Sequence, residues 1–261
     1  MGGRRARAVV VATVLLALAA CTPGTDPFPE PSGTAPADQV IAVRGDGFVD
    51  TRTGEPFVVR GVNYFRIVPA GDGYQDRFFD PAIFDADRIR ADFAGLADRG
   101  YTTVRIFLDS CSVGPGCISR AGTSGLVDEV LATIAETTRI ARDTGLQLIL
   151  TSNDLPDGGG YTAIADEANS EFFPGYRNTV FLTREGADAA AAYWTDLLTG
   201  LRDQGAAFDA VLAWSILNEQ WVFTDQPPLS LGAVTVPGAD GRDYDLGDPV
   251  ERRDYEAWSP E

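Results

Sequence analysis

Residues 187–217 read ADAAAAYWTDLLTGLRDQGAAFDAVLAWSIL, an amphipathic stretch, then a glycine, then an apolar run. The first part predicts a helix over about 187–204 with Gly205 at its C-terminal end. Its apolar side chains recur at helical spacing: Tyr193, Trp194, Leu197 and Leu201. The run Ala210–Leu217 predicts a buried strand. A helix followed directly by a strand is the repeating unit of an α/β fold.

The same unit occurs upstream. Helices are predicted over about 86–99 and 126–143, and further strands over Phe57–Val62, Thr103–Leu108 and Leu146–Leu150. Strands separated by helices of this length form a parallel sheet with right-handed crossovers. Periodicity alone is consistent with a flavodoxin-like sheet or with half of a (β/α)8 barrel. A hairpin around residues 45–47 precedes these units, and residues 222–261 are predicted as a long polar loop leading to a helix from Arg252.

The residues that follow the strands favour the barrel. Barrel enzymes carry their chemistry at the carboxyl ends of the strands. Those ends lack a glycine-rich phosphate loop and hold polar, aromatic and acidic side chains instead: Asn63-Tyr64, Asp109, Asn153-Asp154 and Asn218-Glu219. That composition suits a neutral ligand rich in hydroxyl groups.

Composition excludes several classes of function. Lys and Arg total 21 against 38 for Asp and Glu, a formal net charge of −17, so the surface repels nucleic acid. The sequence contains no histidine, which excludes Ser-His-Asp and Cys-His nucleophile pairs and HExxH zinc sites. It contains no lysine either, which removes Walker A loops and Schiff-base chemistry. Acid/base chemistry in this chain therefore depends on carboxylates.

Three motifs resemble a known family, the retaining glycoside hydrolases with (β/α)8 barrels, close to the family 5 cellulases and mannanases. They are Arg60-Gly61-Val62-Asn63-Tyr64, Val104-Arg105-Ile106 and Trp214-Ser215-Ile216-Leu217-Asn218-Glu219. The resemblance implies an α/β (β/α)8 TIM barrel of which the first four βα units are present. It also implies hydrolysis of O-glycosyl bonds in a β-linked polysaccharide or oligosaccharide, with no cofactor and no metal.

The resemblance also implies roles for individual residues. Glu219 resembles the acid/base, Asn218 the residue that hydrogen-bonds the sugar 2-hydroxyl, and Arg105 the residue that orients the nucleophile. The expected substrate-binding residues are Asn218, Arg105, Asn63, Tyr64, Asn153, Asp154 and Trp221. Aromatic side chains near the strand ends, among them Tyr64, Phe65, Trp221 and Phe223, fit sugar stacking and ordinary packing equally well.

The nucleophile of this family follows the seventh strand and is not present in the chain. We therefore expect an N-terminal part that is truncated and inactive as written. The alternative is a non-catalytic carbohydrate-binding surface lipoprotein, a pseudoenzyme. Family members often place a histidine near the end of the third strand, where this chain has Ser152-Asn153-Asp154.

The N-terminus predicts export. Residues 1–20 combine an arginine-rich start with a short apolar run, and Leu18-Ala19-Ala20-Cys21 resembles a bacterial lipobox. Lipidation of Cys21 would anchor the protein to the outer face of the membrane, its only predicted membrane contact. The alternative is a plain signal peptide with a chance cysteine. Residues 21–38 are predicted as a flexible tether and 39–261 as the catalytic part.

Two further features have alternative interpretations. Cys111 and Cys117 flank a turn-forming loop, which favours a disulfide over two free thiols in an oxidising compartment. Four acidic residues near the C-terminus favour a solvated loop over a calcium site, because their spacing is not that of an EF-hand: Asp240, Asp243, Asp245 and Asp248.

Overall fold

The computed structural model describes residues 40–70, 73–108, 111, 114, 116–168, 176–219 and 222–257. The predicted signal peptide, the lipidation site Cys21 and the tether lie outside the described residues. Within the described part of the chain, no helix is long and apolar enough to cross a membrane.

The described strands are β1 Ile41–Arg44, β2 Gly47–Asp50, β3 Pro56–Phe57, β4 Gly61–Asn63, β5 Ile67–Ala70, β6 Gly73–Asp76, β7 Thr103–Leu108, β8 Gln147–Ser152, β9 Val211–Ser215, β10 Thr235–Pro237 and β11 Asp243–Asp245. The described helices are α1 Ala86–Asp98, α2 Asp128–Thr144, α3 Tyr161–Asp166, α4 Tyr176–Leu182, α5 Arg184–Asp203 and α6 Pro249–Glu256.

One parallel sheet organises these elements. Its strands lie in the order β4-β7-β8-β9, which is also their order along the chain. A flavodoxin-like sheet would place its second strand outside its first, so the observed order rejects that alternative. Sequential parallel strands joined by helices are the arrangement of a barrel segment. The predicted α/β class, with βα units of the barrel type, is confirmed.

The two faces of the sheet differ in polarity. In β7, Val104, Ile106 and Leu108 are buried in the core formed with the helices. The alternate residues Arg105 and Phe107 are only partly buried on the opposite face. Successive side chains of a strand point to opposite faces, so the apolar residues that bury one face place a cation on the other.

The helices bury their apolar stripes against the sheet as predicted. Ile89 and Phe93 of α1 and Ile134 of α2 are 0% exposed. Fully burying such a side chain stabilises the fold by about 1.5–3 kcal/mol. Helix α2 ends at Gly145, whose φ of 76° requires the left-handed region that glycine adopts without strain.

The predicted first strand, Phe57–Val62, is wrong in its bounds. Phe57 belongs to β3 and pairs antiparallel with Phe48, whereas only Gly61–Asn63 pair with β7. Between the two strands, Thr102 Oγ1 donates to Val58 O and accepts from Arg60 N–H. The Thr102 hydroxyl thus bonds the Val58 carbonyl and the Arg60 N–H, which would otherwise pair with a neighbouring strand. The hydrogen-bond ladder of a continuous strand is interrupted there.

In the segment after residue 222 the predicted long polar loop is wrong, whereas the helix predicted from Arg252 is present as α6, which begins at Pro249. The hairpin β10–β11 and helix α6 lie there, around a small core of Leu182, Val236, Tyr244, Leu246 and Tyr255. These apolar residues are too widely spaced to produce a periodic pattern. The hairpin β5–β6 and the short helices α3 and α4 were not predicted for the same reason.

The acidic residues of this region make local hydrogen bonds. Asp240 accepts from Arg242 N–H and from the Tyr244 hydroxyl, and its pKa is lowered, chiefly by the first of these bonds. Asp248 caps α6 by accepting from Val250 and Glu251 N–H. Their role in the structure is to define a turn and a helix start.

Two glycine substitutions test the packing of the helices. An added Cβ at Gly186 of α5 would clash with the backbone oxygens of Thr179 and Val180, which cannot move aside without displacing the chain. We expect Gly186→Ala to destabilise the protein by about 1–3 kcal/mol, against the gain of about 1 kcal/mol from helix propensity. Urea denaturation would measure the difference.

Gly95→Ala in α1 is the matched control. There an added Cβ would meet only the end of the Arg99 side chain, at 3.0 Å. We expect it to stabilise the protein by about 0.5–1 kcal/mol, since alanine loses less backbone entropy on folding. Equal shifts of the denaturation midpoint for both variants would contradict the close approach at Gly186.

Candidate active site at the carboxyl ends of the parallel strands

Arg105 connects the ends of three strands. Its Nε donates to Thr151 Oγ1 of β8 at 2.9 Å, and its Nη2 donates to Asn218 Oδ1, beyond β9, at 2.9 Å. The guanidinium carbon lies 4.5 Å from the centre of the Phe107 ring, a cation–π contact. Among the described residues, the hydrogen-bond partners of Arg105 are neutral and no ion pair reaches it.

Asn218 and Glu219 lie three and four residues beyond β9, the fourth strand of the sheet, which ends at Ser215 and not at Leu217 as predicted. Asn218 N–H donates to Ser152 O at 2.8 Å, which extends the pairing with β8 beyond the end of β9. Glu219 is exposed and has a φ of 49°, the only positive φ of a non-glycine residue in the described part of the chain. Such a conformation costs about 1–3 kcal/mol and is concentrated at functional sites.

Asn63 and Tyr64 are neighbours in the chain, but their side chains lie in different environments. Asn63 is the register partner of Arg105, so it lies on the same face of the sheet, and it is exposed. Tyr64 packs with its ring edge-on to Phe78 and Phe93, at 5.4 and 5.5 Å, and its hydroxyl donates to Asp92 at 2.6 Å. The structure therefore places Tyr64 with the core around α1.

Burial sets the ionisation of several tyrosines and predicts the alkaline stability of the protein. Desolvation raises the pKa of Tyr193 from 10.0 to about 12, and it is also the main cause of raised pKa values at Tyr64, Tyr161 and Tyr255. Because these pKa values are higher in the folded state than in the unfolded state, the tyrosines make their full contribution to the free energy of unfolding below pH 10. It is lost as the pH rises through the folded-state values.

We therefore expect the free energy of unfolding to fall from about pH 10 upward. The absence of lysine makes this dependence easy to interpret, because no ammonium group titrates in the same range. Absorbance at 295 nm should show part of the eight tyrosines ionising late in the native protein and all of them near pH 10 in denaturant. Coincident titrations would contradict the prediction.

Asn153 and Asp154 follow β8 and also differ in their environment. Asn153 is exposed, and its N–H donates to Leu108 O at 3.4 Å. Asp154 forms an ion pair with Arg177 of α4 and accepts from Leu155 N–H. Burial raises the pKa of Asp154 despite its cationic partner. Asp154 thus ties the loop after β8 to α4.

Two other aromatic residues near the strand ends, Phe65 and Phe223, are at least partly exposed. Phe65 stacks on Phe107 with 5.3 Å between ring centres and 13° between planes, yet 46% of Phe65 remains exposed. Phe223 is partly buried, and its backbone is held by Asn178. Trp221 and Asp109 lie outside the described residues.

Cys111 and Cys117 form a disulfide with 4.9 Å between their Cα atoms. The bridge closes the loop after β7. At neighbouring Gly116 an added Cβ would lie 3.1 Å from the Asp80 Cβ, and Asp80 is fully buried and paired with Arg77. The glycine therefore lets the bridged loop pack closely on a buried ion pair.

A pocket of about 250 Å³ opens between the N-terminus of α5 and the hairpin β10–β11. Arg184, Glu185 and Asp243 contribute its charged lining, and Pro237, Gly238 and Gly241 form the wall on the hairpin side. The start of α5 lies in the connection that follows β8, and the hairpin lies in the segment that follows β9.

Thr151, Phe107 and Asn178 did not emerge from the sequence. Thr151 and Phe107 occupy the alternate positions of β8 and β7 that share a face with Arg105, so strand periodicity contained that signal. No sequence pattern pointed to Asn178, because its partners lie about 45 residues further along the chain.

The order of the parallel strands defines an α/β protein of the barrel type, and the polar residues beyond those strands form its candidate site. No family model and no curated protein matches the sequence. Among solved structures, the chain is similar to the endo-1,4-beta-mannanase from Rhizomucor miehei, at 18% identity and a TM-score of 0.49, covering 72% of this chain and 51% of that one.

Two structures of a glycoside hydrolase family 5 mannosidase from Rhizomucor miehei are also similar. The free enzyme gives 15% identity and a TM-score of 0.39, covering 70% of this chain and 50% of that one. A mutant in complex with mannosyl-fructose has 14% sequence identity and a TM-score of 0.40, and the match covers 68% of this chain and 48% of that one. The chain spans about half the length of these structures.

Proposed function

We propose that this chain supplies the acid/base side of a retaining glycosidase site that acts on a neutral β-linked glycan. The observation that carries the proposal is the hydrogen bond between Arg105 and Asn218, next to Glu219. It joins a cation on β7 to an amide beyond the end of β9, and the next residue along the chain after that amide is the carboxylate Glu219.

Each of the three groups has a defined task in retaining hydrolysis. Protonated Glu219 would give its proton to the glycosidic oxygen as the bond to the anomeric carbon breaks, and its carboxylate would then take a proton from water. Arg105 occupies Asn218 Oδ1, so the two Nδ2 hydrogens of that amide are left for a sugar 2-hydroxyl. The bond between Arg105 and Asn218 thereby selects the orientation of the amide.

Arg105 would also prepare the site for the second carboxylate. Two of its five N–H groups are used by Thr151 and Asn218, and both partners are neutral. A half-buried cation with neutral partners favours an ionised carboxylate brought next to it. We propose that this carboxylate is the nucleophile and that it comes from the remainder of the barrel.

The charge of the chain narrows the substrate class. A net charge of −17 disfavours sulfated or uronic-acid polymers, so we propose a neutral glycan, with β-mannan and β-glucan as leading candidates. We also propose that the protein is lipid-anchored at Cys21 on the outer face of the membrane, where such polymers are encountered.

The experiment is hydrolysis of β-mannan and β-glucan oligosaccharides by the full-length gene product. Proton NMR of the first-formed products should show retention of the anomeric configuration, since a retaining enzyme passes through a covalent glycosyl intermediate. Inversion would exclude the proposed role of the second carboxylate.

A second candidate function is carbohydrate binding without catalysis. It is favoured by one observation: among the described residues, the hydrogen-bond partners of Arg105 are the neutral side chains of Thr151 and Asn218, and no carboxylate is paired with it. Calorimetric binding of the same oligosaccharides with no reducing ends released would support this candidate over the hydrolase.

A further inference from the structure

Helix α4 holds the segment that follows Glu219 through the side chain of Asn178. This asparagine is 0% exposed. Its Oδ1 accepts from Phe223 N–H at 2.8 Å, and its Nδ2 donates to Phe223 O at 3.0 Å and to Pro227 O at 2.8 Å. The amide therefore pairs with both backbone groups of Phe223, as a neighbouring strand would.

These bonds use three of the four hydrogen-bonding positions of the amide. A side chain that forms only intrahelical or surface contacts would not need such an arrangement. Asparagine is one of the few residues that can accept from an N–H and donate to two carbonyls at once, so the position is chemically demanding. Buried amides are retained only when they are paired, because an unpaired polar group is costly in the interior.

The bonds of Asn178 hold the backbone on the C-terminal, or far, side of the candidate acid Glu219. On the near side, Asn218 N–H is bonded to Ser152 O. On the far side, Phe223 is bonded to Asn178, so two described residues, Asn218 and Phe223, are held at the two ends of a short span of the chain. Glu219 lies within this span with its φ of 49°, a conformation that persists only where the surroundings enforce it.

Helix α4 is itself firmly held. Arg177, next to Asn178, pairs with Asp154 after β8. Val180 of α4 belongs to the main core, and Leu182 belongs to the small core under the hairpin β10–β11. The helix thus connects the segment after β8 with the segment after β9.

We propose that Asn178 is a positioning residue for Glu219. It holds the loop after β9 in the conformation in which the carboxyl group can protonate a glycosidic oxygen. This inference rests on the proposed function, and it adds a residue that touches neither the substrate nor the reacting atoms.

The first test follows the loop itself. Hydrogen exchange of the peptide that contains Phe223 should become at least tenfold faster in Asn178→Ala, because the N–H loses its acceptor. In Asn178→Asp the carboxylate keeps that acceptor but faces the carbonyls of Phe223 and Pro227, so exchange should rise less. Unchanged hydrogen exchange at Phe223 in both variants would show that Asn178 does not hold this segment.

The second test separates positioning from general damage to the fold. A dinitrophenyl β-glycoside has a leaving group that needs no proton, whereas a natural oligosaccharide needs the acid. We expect Asn178→Ala to lower kcat on the oligosaccharide by about 10- to 100-fold and to leave the first, glycosyl-transfer step on the dinitrophenyl glycoside within about threefold.

Thr138→Ala is the matched control. Thr138 is also 0% exposed, and its Oγ1 accepts from Ala207 N–H at 2.7 Å, in the connection that precedes β9. It should lower stability without changing the ratio of the two activities. An Asn178→Ala variant that loses both activities equally would overturn the proposal.

The proposed function can fail separately from this inference. If the unmodified protein hydrolyses neither substrate, the hydrolase proposal fails and no acid remains to be positioned. The exchange measurement then still decides whether Asn178 anchors the loop. Fast exchange in Asn178→Ala would support the anchor, and unchanged exchange would reject it as well.

Discussion

Glu219→Gln in the full-length protein is expected to lower kcat on a natural β-glycan by about 10²- to 10⁴-fold, the usual contribution of a general acid. The amide keeps the size and the exposed position of the carboxyl group but has no proton to give to the leaving oxygen. The loss corresponds to about 2.7–5.4 kcal/mol of transition-state stabilisation. Because Glu219 is exposed, the thermal midpoint should change little.

The measurement is kcat on an oligosaccharide and on a dinitrophenyl β-glycoside, with azide added to the second assay. The small anion should restore turnover by attacking the glycosyl intermediate in place of base-activated water, and it should yield a β-glycosyl azide. Glu129→Gln is the control, since Glu129 is an exposed glutamate in the first turn of α2. Equal effects of the two substitutions would remove Glu219 from the mechanism.

Arg105→Lys is expected to lower kcat/KM by about 10- to 100-fold, or about 1.4–2.7 kcal/mol, although the positive charge is kept. A single ammonium group cannot bond Thr151 and Asn218 at once while keeping donors for a carboxylate, because it lacks the planar fork of the guanidinium. Asn218 would then be free to rotate its amide, and the sugar 2-hydroxyl would lose a fixed donor.

Steady-state kinetics with the oligosaccharide would check this result. A glycoside that lacks the 2-hydroxyl should be less sensitive, since it cannot use Asn218 and keeps only the part of the loss that comes from the second carboxylate. Arg202→Lys serves as the control, because Arg202 pairs with Asp203 on the exposed surface of α5, where such pairs contribute little. A wild-type value of kcat/KM for Arg105→Lys would show that the bond between Arg105 and Asn218 is not part of the site.

The sequence was most informative where local periodicity decides the structure. The predicted strand Thr103–Leu108 agrees with the observed residues, and the predicted helix over 86–99 agrees within one residue. In both elements the buried side chains recur at the period of a strand or of a helix. The sequence pattern and the packing of the folded protein therefore favour the same structure.

Sequence patterns predicted the structure less well where hydrogen bonds between distant residues compete with strand pairing. The apolar run Val58-Val59 was predicted as part of a buried strand, yet both residues are exposed, at 57% and 42%. Thr102 holds the backbone next to them, and its position more than forty residues away could not be known from the run itself.

By itself, the sequence determined the α/β class of fold, the acidic net charge and the strand that precedes Asn218-Glu219, which the structure forms over Val211–Ser215. Each of these follows from composition or from neighbours within a few positions. Only the tertiary structure decided that Arg105 bonds Asn218, that Tyr64 packs with the core, and that Asn178 holds the loop after Glu219. The physical reason is distance along the chain: a hydrogen bond needs its partner within about 3 Å in space, and partners 28 to 113 residues apart leave no periodic trace in the sequence.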